Sequence, residues 1–137
     1  MLSESMNYIK GKTTLFRHIL LLPIIYVVIF PLVILDIFME FYHQLGFRLC
    51  GIPLVKRSEY VRIDRHKLKY LNWRQKIGCA YCGYANGLLK YMTEIAARTE
   101  QYWCGIMHKQ TKNFHAPDHH KNFVKYGDEK EFKKRYK

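Results

Sequence analysis

Two short spacings in this chain could hold a metal ion or carry a dithiol. Cys79-Ala-Tyr-Cys82 is a C-x2-C pair, and Cys104-Gly-Ile-Met-His108 is a C-x3-H pair. The first spacing makes a tight turn that points two thiolates at one ion. The second places two ligands one helical turn apart on the same face. Together Cys79, Cys82, Cys104 and His108 form a Cys3His set, the tetrahedral donor set of structural zinc. An iron–sulfur cluster on the same ligands is a minor alternative. Cys79 and Cys82 alone could instead cycle between dithiol and disulfide, although a thioredoxin-like βαβ context is absent. A shared site has a geometric condition. If the chain between Cys82 and Cys104 is one helix, the two pairs are about 33 Å apart at 1.5 Å per residue. The helix must then break, the C-x2-C loop must fold back, or two chains must pair antiparallel.

Other reactive groups carry weaker signals. His115-Ala-Pro-Asp-His119-His120 has the look of one histidine box of a membrane desaturase. Such enzymes need several boxes on a multispan scaffold, so a surface loop at a Pro-Asp turn is the expectation. Glu94 and Arg98 are an i,i+4 pair, favourable by a few tenths of a kcal/mol, and Glu100 follows on the same expected helix. No Ser-His-Asp set, phosphate-binding loop or dinucleotide fingerprint occurs. No catalytic residue is assigned.

The elements that must position these groups begin with Ile19 to Leu35, which is apolar and uncharged throughout. With Phe16 and Ile37 to Met39 it reaches the roughly 20 residues that cross a ~30 Å hydrocarbon core. A cleaved signal peptide would end in small residues, whereas bulky Phe38, Phe41 and Tyr42 follow here. A buried core helix would need more apolar chain around it than a polar remainder supplies. Pro23 and Pro31 each remove a donor, which suits a kinked span or a hairpin dipping into one leaflet. Asp36 closes the run. It either faces an interior partner, as ionisable groups at membrane depth do, or lies at the interface and ends the span.

The chain of 137 residues carries a net charge of +12. Basic groups near an anionic leaflet gain about 1 kcal/mol each, so the bilayer and its anionic headgroups account for the charge. No nucleic-acid-binding signature is present, and nucleic acid is not expected as a partner. Lysine and arginine accumulate after the apolar run, from Arg48 to Lys76, which places the C-terminal part in the cytoplasm.

The expected organisation is a polar tail over 1–14, a membrane segment over 15–39, an interfacial segment over 40–57 and a small helical domain over 58–137. The fold class is all-α. Asp64 starts a helix over 65–77, residues 79–83 form a break, and Asn86 caps a helix over 87–103. Pro117 and Asp118 open a short helix stopped at Gly127, and Asp128 caps the last one. So small a domain has a thin core, so a metal, a protein partner, self-association or the membrane surface supports it.

The run YLNWRQKIGCAYCGYANGLLKYMTEIAARTEQYWCGIMHK, with GIP and DR-x-x-L before it and YGD after it, resembles a family of small uncharacterised bacterial proteins. The family pattern is C-x-Y-C-x-YANG followed by an RTEQYWCPIKH-like stretch, and it covers nearly the whole chain. The match falls on Cys79, Tyr81, Cys82, Tyr84 to Gly87, Arg98 to Cys104 and His108. Gly105 stands where the family has proline, and Cys50 lies outside the pattern. The resemblance implies a bacterial inner-membrane location and assigns no activity. The sequence thus points to a membrane-anchored small zinc-binding accessory module, with a dithiol accessory protein or a subunit of a larger membrane complex as the alternatives.

Overall fold

A computed structural model describes residues 12–137, the side chains of residues 12–15 and 18 excepted. The first eleven positions of the expected polar tail lie outside the described residues. The fold is all-α and begins with one long apolar helical segment. α1 (Lys12–Val27) and α2 (Ile29–Cys50) are joined through a single turn residue, Val28. Pro31 causes the joint. It has no N–H to offer the Val27 carbonyl, and its ring crowds that carbonyl. Pro23 lies inside α1, where it removes one more bond without ending the helix. Ile19–Cys50 is long and apolar enough to cross a membrane; most of its apolar run is exposed, while His43 and Phe47 near its C-terminal end are buried under the rest of the fold. Ile24, Phe30, Ile34, Ile37 and Phe38 all point outward.

α2 ends at Gly51. Its φ of +67° is the left-handed conformation that glycine enters without a Cβ clash, and the Ile52 N–H caps the Phe47 carbonyl at 2.8 Å. The chain then returns along α2 as an irregular strap, residues 51–72. Two 3-10 turns, Arg57–Glu59 and Arg65–Lys67, punctuate it. Of the helix expected over 65–77, residues 73–77 are helical as the start of the next helix, and 65–72 form a 3-10 turn and irregular chain instead. Asp64 makes no side-chain cap bond there, so nothing nucleates a longer helix.

α3 (Trp73–Trp103) starts one residue after Asn72, whose side chain and that of Gln75 form a reciprocal capping box. It then runs without interruption through residues 79–83 and past Asn86, so the expected break and second cap are absent. Two local facts explain this. The Asn86 side chain points back and donates to the Cys82 carbonyl within the helix (3.0 Å) instead of capping. Gly83 and Gly87 lie one turn apart and serve a tertiary purpose. A Cβ on Gly87 would lie 2.7 Å from both the Tyr60 carbonyl oxygen and Val61 Cα, and one on Gly83 would lie 2.7 Å from the Arg62 carbonyl oxygen. The glycines let the strap lie directly on α3. Each costs about 1 kcal/mol in helix propensity, which strap packing offsets.

α3 runs in the same direction as α2, with side-chain partners advancing together: Asp36 with Tyr84, Glu40 with Tyr91, Tyr42 with Thr99. The core lies between them under the strap, formed by Phe47, Val55, Leu88, Tyr91, Met92 and Ile95. Beyond Trp103 the chain becomes extended. A single parallel bridge joins Ile106 to Val124. Asp118–Asn122 is a 3-10 turn where a short helix is expected, and α4 (Glu129–Tyr136) closes the chain. Asp128 caps α4 as expected, accepting from the Glu131 N–H at 3.0 Å.

Candidate functional site

The expected metal ligands divide between two places. Cys79 and Cys82 lie one turn apart on α3, half-buried and exposed respectively. Cys104 is an exposed residue at the C-terminus of the same helix. Twenty-two rises of 1.5 Å separate Cys82 from Cys104, about 33 Å, so one chain does not bring the C-x2-C and C-x3-H pairs to one ion. Cys50, at the end of α2, is a half-buried free thiol.

His108 instead joins a different set. The bridge between Ile106 and Val124 places the segment after α3 beside the segment that carries the 3-10 turn. The Met107 N–H donates to the Val124 carbonyl (2.8 Å), and the Val124 N–H donates to that of Gly105 (2.7 Å). His108, two residues past the bridge, thereby meets His120 at the end of α3, over Glu100, where His119 also reaches the carboxylate. His119 Nε2 lies 2.5 Å from Glu100 Oε2. His120 Nε2 lies 3.1 Å from both carboxylate oxygens, and His108 Nε2 lies 3.9 Å from Oε1. One ligand atom each from Glu100, His108 and His120 fall within 4.8 Å of one another. Phe123 stacks on the buried His120 at 4.8 Å, and Phe114 makes one edge contact with the exposed His108 at 5.6 Å. The hydrogen bond to His119 holds the Glu100 carboxyl below its ordinary range against a smaller opposing effect of burial, and His120 adds to it. Glu100 is thus an anion ringed by imidazoles.

Sequence reasoning places His115–His120 in a surface loop and treats Glu100 as a helix-surface residue. The grouping depends on a fold-back of some 20 residues that no local pattern encodes. The visible signal is the density of histidine between His108 and His120. His115 stays exposed outside the cluster.

A second polar cluster lies where the charge-free run ends. Both terminal nitrogens of Arg57 donate to the two oxygens of Asp36, each at 2.6 Å. The Tyr84 hydroxyl donates to Asp36 Oδ2 at 2.8 Å. Asp36 therefore faces an interior partner. The Tyr91 hydroxyl donates to Glu40 Oε2 (2.8 Å) and meets Nδ1 of the buried His43 (3.0 Å). His43 Nε2 accepts from the Val55 N–H (2.9 Å), so its proton resides on Nδ1 and is offered to Tyr91. Burial first, and the Asp36 carboxylate second, push the Tyr84 hydroxyl up to about 12. Tyr91 is shifted upward for the same reasons, with Glu40 as its carboxylate. Both phenols remain neutral donors at physiological pH. Every member of the belt has a partner, and its effect is to fasten strap and α3 to α2. Glu94 and Arg98 form the expected pair at 2.8 Å, and Arg98 also donates to the Pro53 carbonyl (2.8 Å).

No family model, curated protein or solved structure matches this chain.

Proposed function

We propose that the chain is a membrane-anchored, non-catalytic accessory module that holds a small helical domain against the cytoplasmic face of a bacterial inner membrane. The observation that carries this reading is the largely exposed apolar surface of residues 19–35, which gives way at Asp36 to a fully partnered belt of charge. A chain in water would hide that surface, and a chain in lipid needs it. The belt marks the depth at which hydrocarbon ends. Beside it lies an open groove of about 830 Å³ lined by Ile37, Phe41 and Leu45 together with Arg48, Arg57 and the carboxylates of Asp36 and Glu40. Its apolar residues suit a lipid chain. Basic residues of the strap add about 1 kcal/mol each at an anionic surface. The domain's remaining partner is a protein or a second copy of this chain.

Vesicle flotation tests the reading. The full chain, reconstituted with phosphatidylethanolamine and phosphatidylglycerol, is expected to float with the vesicles and to resist both high salt and alkaline carbonate. Release by salt alone would reduce the anchor to surface electrostatics and overturn the proposal. Cys79 and Cys82 support a dithiol reading because they face the same side of α3 one turn apart. Against it, α3 begins at Trp73, so the pair lies beyond the first turn, where the helix dipole acts most strongly.

A further inference from the structure

We propose that Glu100, His108 and His120 form a binding site for a divalent transition-metal ion of the zinc class, with His119 as the positioning residue that orients Glu100. This site replaces the Cys3His set as the place where the chain holds metal. It does not depend on the membrane anchor.

The donor types come first. Two imidazoles and one carboxylate are the ligands of open zinc sites, which leave a fourth position for water or an incoming group. Imidazole nitrogen suits zinc, copper, iron and nickel, and a hard carboxylate beside it disfavours monovalent copper. The spacing follows. Ligands around a zinc ion at about 2.0–2.2 Å lie roughly 3.3 Å apart. His120 Nε2 already sits 3.1 Å from both Glu100 oxygens. His108 Nε2 sits 3.9 Å from Oε1, and its side chain is 65% exposed. The ligand that must shift is therefore the one with room to shift.

Burial supplies an independent observation. His120 is 3% exposed in its side chain, and its Nδ1 is buried without a hydrogen-bond partner. A histidine kept in a core for structure is satisfied at both nitrogens, as His43 is by Val55 and Tyr91. His120 has only Nε2 partnered, by Glu100, and that buried nitrogen is the one offered to the ion. His119 hydrogen-bonds the same carboxylate. A group that fixes a ligating carboxylate in this way is typical of the shell around a metal.

The ion would join the last turn of α3 to the extended segment at His108 and to the 3-10 turn at His120. Residues 105–124 are otherwise held mainly by one isolated bridge, so the metal would act as the staple of the C-terminal third of the domain.

The test uses the full chain purified in detergent without a histidine tag, stripped with chelator and reloaded with zinc or cobalt. One ion per chain is expected after gel filtration. Bound cobalt should give a visible d–d band with no thiolate-to-cobalt charge-transfer band. His108→Ala, an exposed position that leaves the fold intact, and Glu100→Gln are expected to lose the ion. His119→Ala should weaken binding about 10–100-fold. A Cys79→Ser Cys82→Ser variant should bind as the unaltered chain does. No bound ion in the unaltered chain, or an ion retained by His108→Ala and lost with the cysteines, would overturn the proposal. Flotation of the same preparations reads the anchor separately, so a failure here leaves that reading standing.

Discussion

Replacing Gly78 and Gly87 by alanine, one at a time, makes a pair of experiments on a single helix with opposite expected signs. In an exposed helix interior the substitution stabilises by about 0.8–1.0 kcal/mol, because alanine loses less backbone freedom on folding. Gly78 meets that condition, since a Cβ there would touch nothing within 4 Å. A Cβ on Gly87 would instead lie 2.7 Å from Tyr60 oxygen and from Val61 Cα. To restore ordinary contact at 3.4 Å the strap must retreat by ~0.7 Å. Both opposing atoms are backbone, so no side chain can turn aside. Retreat also draws on the nearby Arg57, whose two hydrogen bonds to Asp36 are already at 2.6 Å. Overpacking of this kind costs about 1–3 kcal/mol, which exceeds the propensity gain. Gly87→Ala should therefore destabilise by about 1 kcal/mol, while Gly78→Ala stabilises by slightly less. For a chain of this size the gap of nearly 2 kcal/mol corresponds to roughly 6–8 °C in Tm. Thermal unfolding in a mild detergent, followed by near-ultraviolet circular dichroism, reads it. Equal shifts for the two variants would mean that the strap does not lie on α3, and the helix pairing described above would be wrong.

Arg57→Met leaves Asp36 with only Tyr84. The pair is half-shielded, between surface pairs worth about 0–1 kcal/mol and buried ones that cost about 3–5 to break, so a loss of roughly 2 kcal/mol is expected in a denaturant titration. Adding Asp36→Asn should recover most of it, and an unchanged double mutant would assign the loss to packing. His43→Phe strands the Val55 N–H in the core and leaves the Tyr91 hydroxyl with Glu40 as its partner. The orphaned N–H costs about 1–3 kcal/mol, and a loss below 1 kcal/mol would contradict the acceptor role assigned to His43 Nε2. Chelation should speed tryptic cleavage at Lys109, Lys112 and Lys121 while leaving sites within α3 protected. Equal cleavage with and without zinc would show that the ion does not staple this segment.

How much of this was legible in the sequence depends on the range of the interaction. The apolar run, the helical class and the Asp128 cap are all local patterns, and each appears in the structure. Gly83, Asn86 and Gly87 are also local punctuation, yet they mislead. Their small size and polarity serve the contact with the strap and a bond inside the helix, and α3 continues through them. Asp36 was flagged by its depth, but its partner Arg57 is 21 residues away and only the returning strap brings them together. The cysteine spacing suggested one four-ligand site. The unbroken helix separates its halves, and His108 pairs with Glu100 and His120 through a fold-back fixed by a single bridge. Long-range partnership of this kind leaves no period or spacing to read.

X-ray absorption at the zinc edge of the loaded full chain tests most directly where the metal is held. Nitrogen and oxygen scatterers alone, at about 2.0–2.2 Å with imidazole multiple scattering, are the predicted first shell. A sulfur shell at about 2.3 Å would return the ion to the cysteines. It would then require two chains, or a broken α3, to bring Cys82 and Cys104 together.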